Sequence, residues 1–242
     1  MKLIRHATCL INYNGVNLLL DPIFYDKGIL SPANGGNTTL NNPIVSLPAK
    51  VPTPSEVNAI IVTHLHRNHF DPKVLEIYGK DLPIICPAFF ESNLNELGCT
   101  QLFPIENNIS YKGIEINLTN TQHDTGEVEK AMGNSYGFAL SADSEKSFYI
   151  TGDTICCDGV ATALSTFKPE YILAFAGRAT LNEVKITLSK NDILKILDAA
   201  PQATVIPIHL EAWNHCILKR HELKALNSDR IIVLNDNESI TL

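Results

Sequence analysis

The sequence predicts a protein of the α/β class, and three observations carry that prediction. An Asn-Gly hairpin opens the chain, strand-like and helix-like segments alternate from Ala59 onward, and a meander of half-buried strands fills the middle. With 242 residues, 45% of them hydrophobic and 19% charged, the chain is long enough to bury a sizeable core. It has no internal repeat, no low-complexity tract and no compositional break, so one domain spanning residues 1–242 is the simplest organisation.

Each element has a local reason. Lys2 to Tyr13 is β-rich and is followed by Asn14-Gly15 and the apolar run Val16 to Leu20. Together these read as two antiparallel strands, because Asn-Gly accepts the positive φ of a tight type I′ turn. Residues 23–50 show no periodicity and carry Gly28, Pro32, Gly35, Gly36, Pro43 and Pro48, the pattern of a long loop that serves as a lid or binding element. Thr53-Pro54-Ser55-Glu56 supplies an N-cap, a first-turn proline and an acid at the third position, which predicts a short helical turn before the strand Ala59 to Thr63. Asp71-Pro72 can cap a helix with Val74, Leu75 and Tyr78 on one face and Gly79 as its stop, and Phe89 to Leu97 with Gly98 repeats the pattern.

Apolar residues then alternate at Ile114, Ile116 and Leu118, in a stretch from Ile109 to Thr119 broken by Lys112-Gly113. They alternate again at Tyr136, Phe138 and Leu140, ahead of Phe148 to Thr151. The last third predicts a strand at Tyr171 to Phe175 and a helix capped by Ser189 with Asp192 three residues on, its Ile193, Leu194, Ile196 and Leu197 facing the core. Val205 to Ile208 is a strand, and Ile231 to Leu234 with Ser239 to Leu242 close the chain.

A net charge of −7 with scattered basic residues argues against nucleic acid as a partner and favours a small-molecule substrate. No segment reaches the roughly 20 apolar residues of a membrane span, and Met1 to His6 does not read as a signal peptide. The expectation is a cytoplasmic protein without stable membrane insertion; whether it forms a homo-oligomer is left open. Six cysteines, none in a C-x-x-C pair, read as buried thiols, with Cys156 and Cys157 worth attention because they lie close to Asp153.

Three histidines fall within His64-Leu65-His66-Arg67-Asn68-His69, directly after a strand. On an extended backbone His64 and His66 point the same way, so their imidazoles can converge on one cation. This segment resembles the signature of the metallo-β-lactamase superfamily, H-x-H-x-D-H after a strand, with further His, Asp and His ligands downstream. The resemblance implies a four-layered αββα sandwich with metals at one edge. It implies that His64, His66 and His123 bind one ion, that His69 and His209 bind a second beside position 68, and that Asp153 bridges the two. The ions would be Zn²⁺ or Mn²⁺, one or two per chain. Ile4-Arg5-His6-Ala7-Thr8 and Asp21-Pro22 resemble the opening of the branch that includes the ascorbate phosphate lactonase and the N-acyl phosphatidylethanolamine phospholipase D type enzymes. In that branch the early histidine lies near the metals, so His6 is either a site residue or a hydrogen-bonded structural histidine, and Asp21 stands behind the ligands or in a turn.

The chain departs from the signature at Asn68. An amide carbonyl is a weak, neutral donor where the family has a carboxylate, so the second site should bind its metal about 10–100-fold less tightly unless Asp71 or Asp124 compensates. The implied function is a metal-dependent hydrolase that cleaves a small ester, lactone or phosphodiester with a metal-bound hydroxide, with His6 or Asp153 assisting proton transfer. The alternative is a metal-binding protein with little turnover because of Asn68. A nuclease of the same superfamily fits less well, because those enzymes carry an additional domain. Arg67 and Arg178 could neutralise a phosphate or be plain surface arginines. Residues 23–50 and the segment 209–215, with Trp213 and His215 as binding candidates, would line the pocket.

Overall fold

In the computed structural model, which describes residues 1–242, two six-stranded mixed sheets face each other. The first runs in the order β1 (Lys2–Arg5), β2 (Thr8–Tyr13), β3 (Val16–Leu20), β4 (Ala59–Ile61), β5 (Ile84–Pro87) and β6 (Leu102–Ile105). Its first three strands pair antiparallel and the rest parallel. The second sheet is ordered β14 (Thr204–Ile208), β11 (Tyr171–Phe175), β10 (Phe148–Ile150), β9 (Tyr136–Ser141), β8 (Ile114–Asn120) and β7 (Asn108–Tyr111). There the meander β7 to β10 is antiparallel, and β10, β11 and β14 run parallel.

Side-chain alternation sorts residues into layers. On β3, Leu18 and Leu20 point between the sheets while Leu19 points outward; on β10, Phe148 and Ile150 point inward and Tyr149 outward; on β11, Leu173 and Phe175 face in and Ile172 and Ala174 out. The outer face of the first sheet is covered by α1 (Val74–Tyr78) and α2 (Glu91–Glu96), through Val74, Leu75 and Leu94. The outer face of the second is covered by α4 (Asp158–Phe167) and α5 (Lys190–Ala199), through Val160, Leu164, Ile193 and Ile196. The result is the four-layered αββα sandwich. A further helix, α3 (Gly126–Met132), buries none of its residues, and a hairpin of β12 (Thr180–Leu181) and β13 (Val184–Lys185) stands apart from both sheets.

The structure differs from the sequence reading in identifiable places. Lys2 to Tyr13 is two strands, not one: the chain reverses at His6, whose φ of 61° no glycine signalled, so the chain opens with three antiparallel strands. The Asn14-Gly15 turn forms as expected, with positive φ at both residues. Residues 23–50 contain no helix or extended strand but are held in place. The buried Arg5 guanidinium donates to the carbonyls of Ile23, Tyr25 and Val45, and Arg67 donates to that of Ser31. The closing segments make single bridges, Ile231 to Val205 and Ser239 to Lys2. Four cysteines are buried, but Cys156 is exposed and Cys157 half-buried, because both fall in the connection from β10 to α4 rather than under a layer. No helix is long and apolar enough to cross a membrane.

Candidate metal centre

Six side chains from distant stretches converge where strands of both sheets end. His64, His66 and His69 follow β4, His123 follows β8, Asp153 follows β10, and His209 is the residue after β14. All but His66 are essentially buried. Ligand atoms of His64, His66 and His123 lie within 4.8 Å of one another, and so do those of His69, Asp153 and His209. Asp153 reaches both sets: its Oδ2 is 3.2 Å from His69 Nε2 and 3.9 Å from His64 Nε2, and its Oδ1 is 3.4 Å from His209 Nε2.

Hydrogen bonds fix which ring nitrogen each imidazole turns inward. Asp21 accepts from His69 Nδ1 at 2.8 Å and from Thr63 Oγ1 at 2.6 Å, and the Thr63 oxygen in turn lies 3.0 Å from His64 Nδ1. Both Nδ1 atoms therefore carry their protons toward Asp21, which leaves the Nε2 lone pairs facing the cluster. His66 is set the opposite way, because its Nε2 lies 2.8 Å from the Met132 carbonyl, which can only accept. Nδ1 is the nitrogen it offers. His209 has Cys216 Sγ at 3.5 Å from Nδ1, so its Nε2 also faces inward.

Backbone geometry positions His209 from two sides. Its amide donates to the His6 carbonyl at 2.9 Å, and both residues hold positive φ, 65° and 61°. A Cβ on Gly177 would come within 2.4 Å of the His209 carbonyl oxygen and 2.8 Å of its Nδ1, so only glycine fits there. The His6 ring lies 3.8 Å from that of His209 and stacks on Trp213 at 5.3 Å.

Electrostatics divide the cluster. Burial lowers His64 well below its ordinary value, and lowers His66 to about 4 and His209 to about 3, so these rings are neutral donors. Burial opposes ionisation of Asp153, yet His209 and His69 outweigh it and hold its carboxyl well below the usual range. His69 is the exception: burial would lower it, but Asp153 and Asp21 on its two sides push it up to about 9.

A metal fits this arrangement. His64 Nε2 and Asp153 Oδ1 are buried polar atoms with no hydrogen-bond partner, and they face the same space as the lone pairs of three further imidazoles. Asn68 places its amide nitrogen 3.2 Å from His209 Nε2, where the signature has a carboxylate. Neither Asp71 nor Asp124 joins the cluster to compensate. Asp71 instead accepts from the amides of Phe24 and Lys73.

Beside the cluster lies a cavity of about 200 Å³. Met132, Leu181, Ile186 and Trp213 give it an apolar wall, and His66, Arg67, Asn68 and His215 a polar one. His6 does not line it, and Arg178 lies in a separate depression with Lys185 and Lys190. The sequence reading missed the β12–β13 residues of this wall, the Met132 carbonyl and Gly177. Of the shared anchor, the sequence reading named Asp21, ahead of Pro22, as a residue behind the ligands or in a turn, and gave Thr63 no role.

A model of the beta-lactamase superfamily domain matches residues 17–210. The UPF0173 protein YddR of Bacillus subtilis is 32% identical over 98% of both chains. Among solved structures, an isothiocyanate hydrolase from Delia radicum gut bacteria superposes with a TM-score of 0.92 at 28% identity, covering 100% of this chain and 98% of that one. A protein of Veillonella parvula, described as a possible metal-dependent hydrolase, gives 0.93 at 26% identity with the same coverage.

Proposed function

The chain belongs to the beta-lactamase superfamily, as a metal-dependent hydrolase of that fold, and we propose that it hydrolyses a compact electrophile with an apolar substituent at the His64–His66–His123–Asp153 cluster. The observation that carries this reading is the convergence of the ring nitrogens of His64, His66 and His123 with the buried carboxylate of Asp153 beside a cavity. An imidazole-rich set with one carboxylate suits zinc better than manganese. When bound there, a divalent ion supplies an activated water and polarises the electrophile.

The chain's own residues do the remainder. Asp21 and the Met132 carbonyl hold the imidazoles in register, Asp153, with a free Oδ1, accepts the proton lost by the attacking water, and His6, which does not line the cavity, acts by packing on His209. Met132, Leu181, Ile186 and Trp213 keep bulk water from the substrate's apolar end. The cavity is lined by no carboxylate, which admits neutral and anionic substrates alike. We infer one domain over residues 1–242, since the inter-sheet core joins Leu3 to Leu234. The free cysteines suit a reducing, cytoplasmic setting.

The similarity to an isothiocyanate hydrolase supports adding isothiocyanates to small esters, lactones and phosphodiesters as candidate substrates. In that reaction water adds to the central carbon and the C–N bond then breaks, so R–N=C=S and H₂O give R–NH₂ and COS. Zinc-reconstituted protein is expected to turn over at least one of benzyl isothiocyanate, γ-butyrolactone, 4-nitrophenyl acetate and bis(4-nitrophenyl) phosphate, and His64→Ala to abolish the rate. Zinc binding without turnover of any of them would favour a metal-binding protein disabled by Asn68. Restoration of turnover by Asn68→Asp would then place the defect at that residue.

A further inference from the structure

We infer that His215 is a substrate-contacting residue, whose ring N–H hydrogen-bonds the heteroatom on which negative charge grows as the electrophile is attacked. The inference rests on the hydrolase reading and adds to it the group that recognises the substrate.

His215 is 7% exposed, and it lines the cavity together with His66 and Asn68. Its Nδ1 is buried without a hydrogen-bond partner, and no hydrogen bond restrains the ring. A buried imidazole normally has its donor and acceptor satisfied, so one left open beside a cavity marks a position where a ligand completes the bonding.

The backbone around it is fixed. The His215 carbonyl accepts from the Thr180 amide at 3.2 Å, and the Cβ that Gly36 lacks would lie 2.9 Å from the His215 Cα. On one side Trp213 is buried in an apolar cluster with Ile23 and Ile186. Next to it, the Asn214 side chain donates to the carbonyls of Ala33 and Gly35, both at 2.9 Å, and accepts from the Ala33 amide and from Asn42 Nδ2. The segment 33–42 and the 213–216 turn thus lock each other, and directly after these two immobilised residues His215 presents the ring that lacks a partner. With the backbone fixed, only the ring has to turn to aim its donor, so little reorganisation accompanies the development of charge, which favours electrostatic stabilisation of a transition state.

The apolar residues of the cavity set the complementary requirement: a substrate whose polar heteroatoms meet His215 and the cluster and whose hydrocarbon part meets Met132, Leu181, Ile186 and Trp213. An aryl or alkyl isothiocyanate has that shape, and so does a short-chain ester. His66 and Met132 also border a second cavity of about 330 Å³ lined by Phe89 and Phe90, which gives a longer tail a route past Met132.

The test uses zinc-loaded wild type, His215→Ala and His215→Gln, the last keeping an N–H donor. Benzyl isothiocyanate hydrolysis gives rates, benzylthiourea, an unreactive mimic of the hydrated substrate, gives affinity by calorimetry, and elemental analysis gives zinc content. His215→Ala is expected to lower kcat about 10²-fold with zinc content unchanged, and His215→Gln to recover about tenfold of it. Benzylthiourea should bind His215→Ala about tenfold more weakly than wild type. Equal benzylthiourea affinity in wild type and His215→Ala, or no binding to wild type, overturns the role of His215. Absence of benzyl isothiocyanate turnover beside a His215-dependent benzylthiourea affinity overturns only that choice of substrate and leaves the contact standing.

Discussion

Asp21 serves two ligands from one carboxylate: Oδ2 holds His69 directly and His64 through Thr63, while Oδ1 accepts the Thr63 amide at 2.7 Å. Its removal therefore disturbs both metal positions together. Asp21→Asn is expected to weaken zinc binding about 10–100-fold, measured by competition against a chelating dye, with thermal unfolding followed in parallel to confirm the fold. Unchanged affinity would mean that the imidazoles hold their orientation without it. The candidate ligands were legible in the sequence as a group, because three histidines crowded behind a strand, with His, Asp and His following in order, form a pattern that surface polarity does not require, and the structure brings these side chains together. The anchor was legible only as a residue behind the ligands. What joins it to His64 is a hydroxyl on the neighbouring Thr63, and a lone threonine carries no pattern. The turn at His6 was illegible for a related reason: it needs positive φ at a residue that is not glycine, a conformation imposed by the packing of His6 on His209 and Trp213.

At the scale of elements, the start of helix α5 and its core residues Ile193, Ile196 and Leu197 were read correctly because their signals are local, whereas Leu194, expected in the core, is 39% exposed on the outer side of the helix. Ser189 Oγ accepts from the Asp192 amide, and the Asp192 carboxylate accepts from the Ser189 amide at 2.9 Å and from Lys185 at 2.6 Å. Burial opposes ionisation of Asp192, but the bonds from Lys185 and Ser189 prevail and hold it below its usual 3.8. A depressed folded value means that the stabilisation is complete above pH 3.8 and is lost as pH falls through the lower folded value. Asp192→Asn is thus expected to cost about 1 kcal/mol at neutral pH, with the gap from wild type narrowing below about pH 4 in urea titrations. A gap independent of pH would contradict the assignment. By contrast, α4 escaped the sequence reading because its core face is only Val160, Ala163 and Leu164 among small and β-branched residues. The β12–β13 hairpin escaped because its turn uses Asn182 and Glu183, both at positive φ, in place of an Asn-Gly pair. The first of those strands carries Thr180 and Leu181 into the cavity wall, so missing the hairpin meant missing that part of the pocket.

At the scale of the whole molecule, the centre joins the two sheets. His64, His66 and His69 hang from the first, and His123, Asp153 and His209 from the second, so an ion bound between them would act as a cross-link at the open edge of the sandwich. Ligand binding to the folded state alone stabilises by about 2.7 kcal/mol when the free ion is at 100 times its dissociation constant, and chelation should lower the unfolding temperature accordingly. The element order made the α/β class legible from the sequence, and the sandwich followed from the resemblance of the histidine signature; local patterning alone does not specify how two sheets are set against each other. The most direct measurement is anomalous diffraction at the zinc absorption edge from crystals of protein purified without chelator and supplied with one equivalent of zinc. The account predicts a peak among the imidazoles of His64, His66 and His123 with Asp153 in reach, and a weaker or absent peak beside Asn68. No peak among those three histidines, or a dominant one elsewhere on the chain, would contradict it.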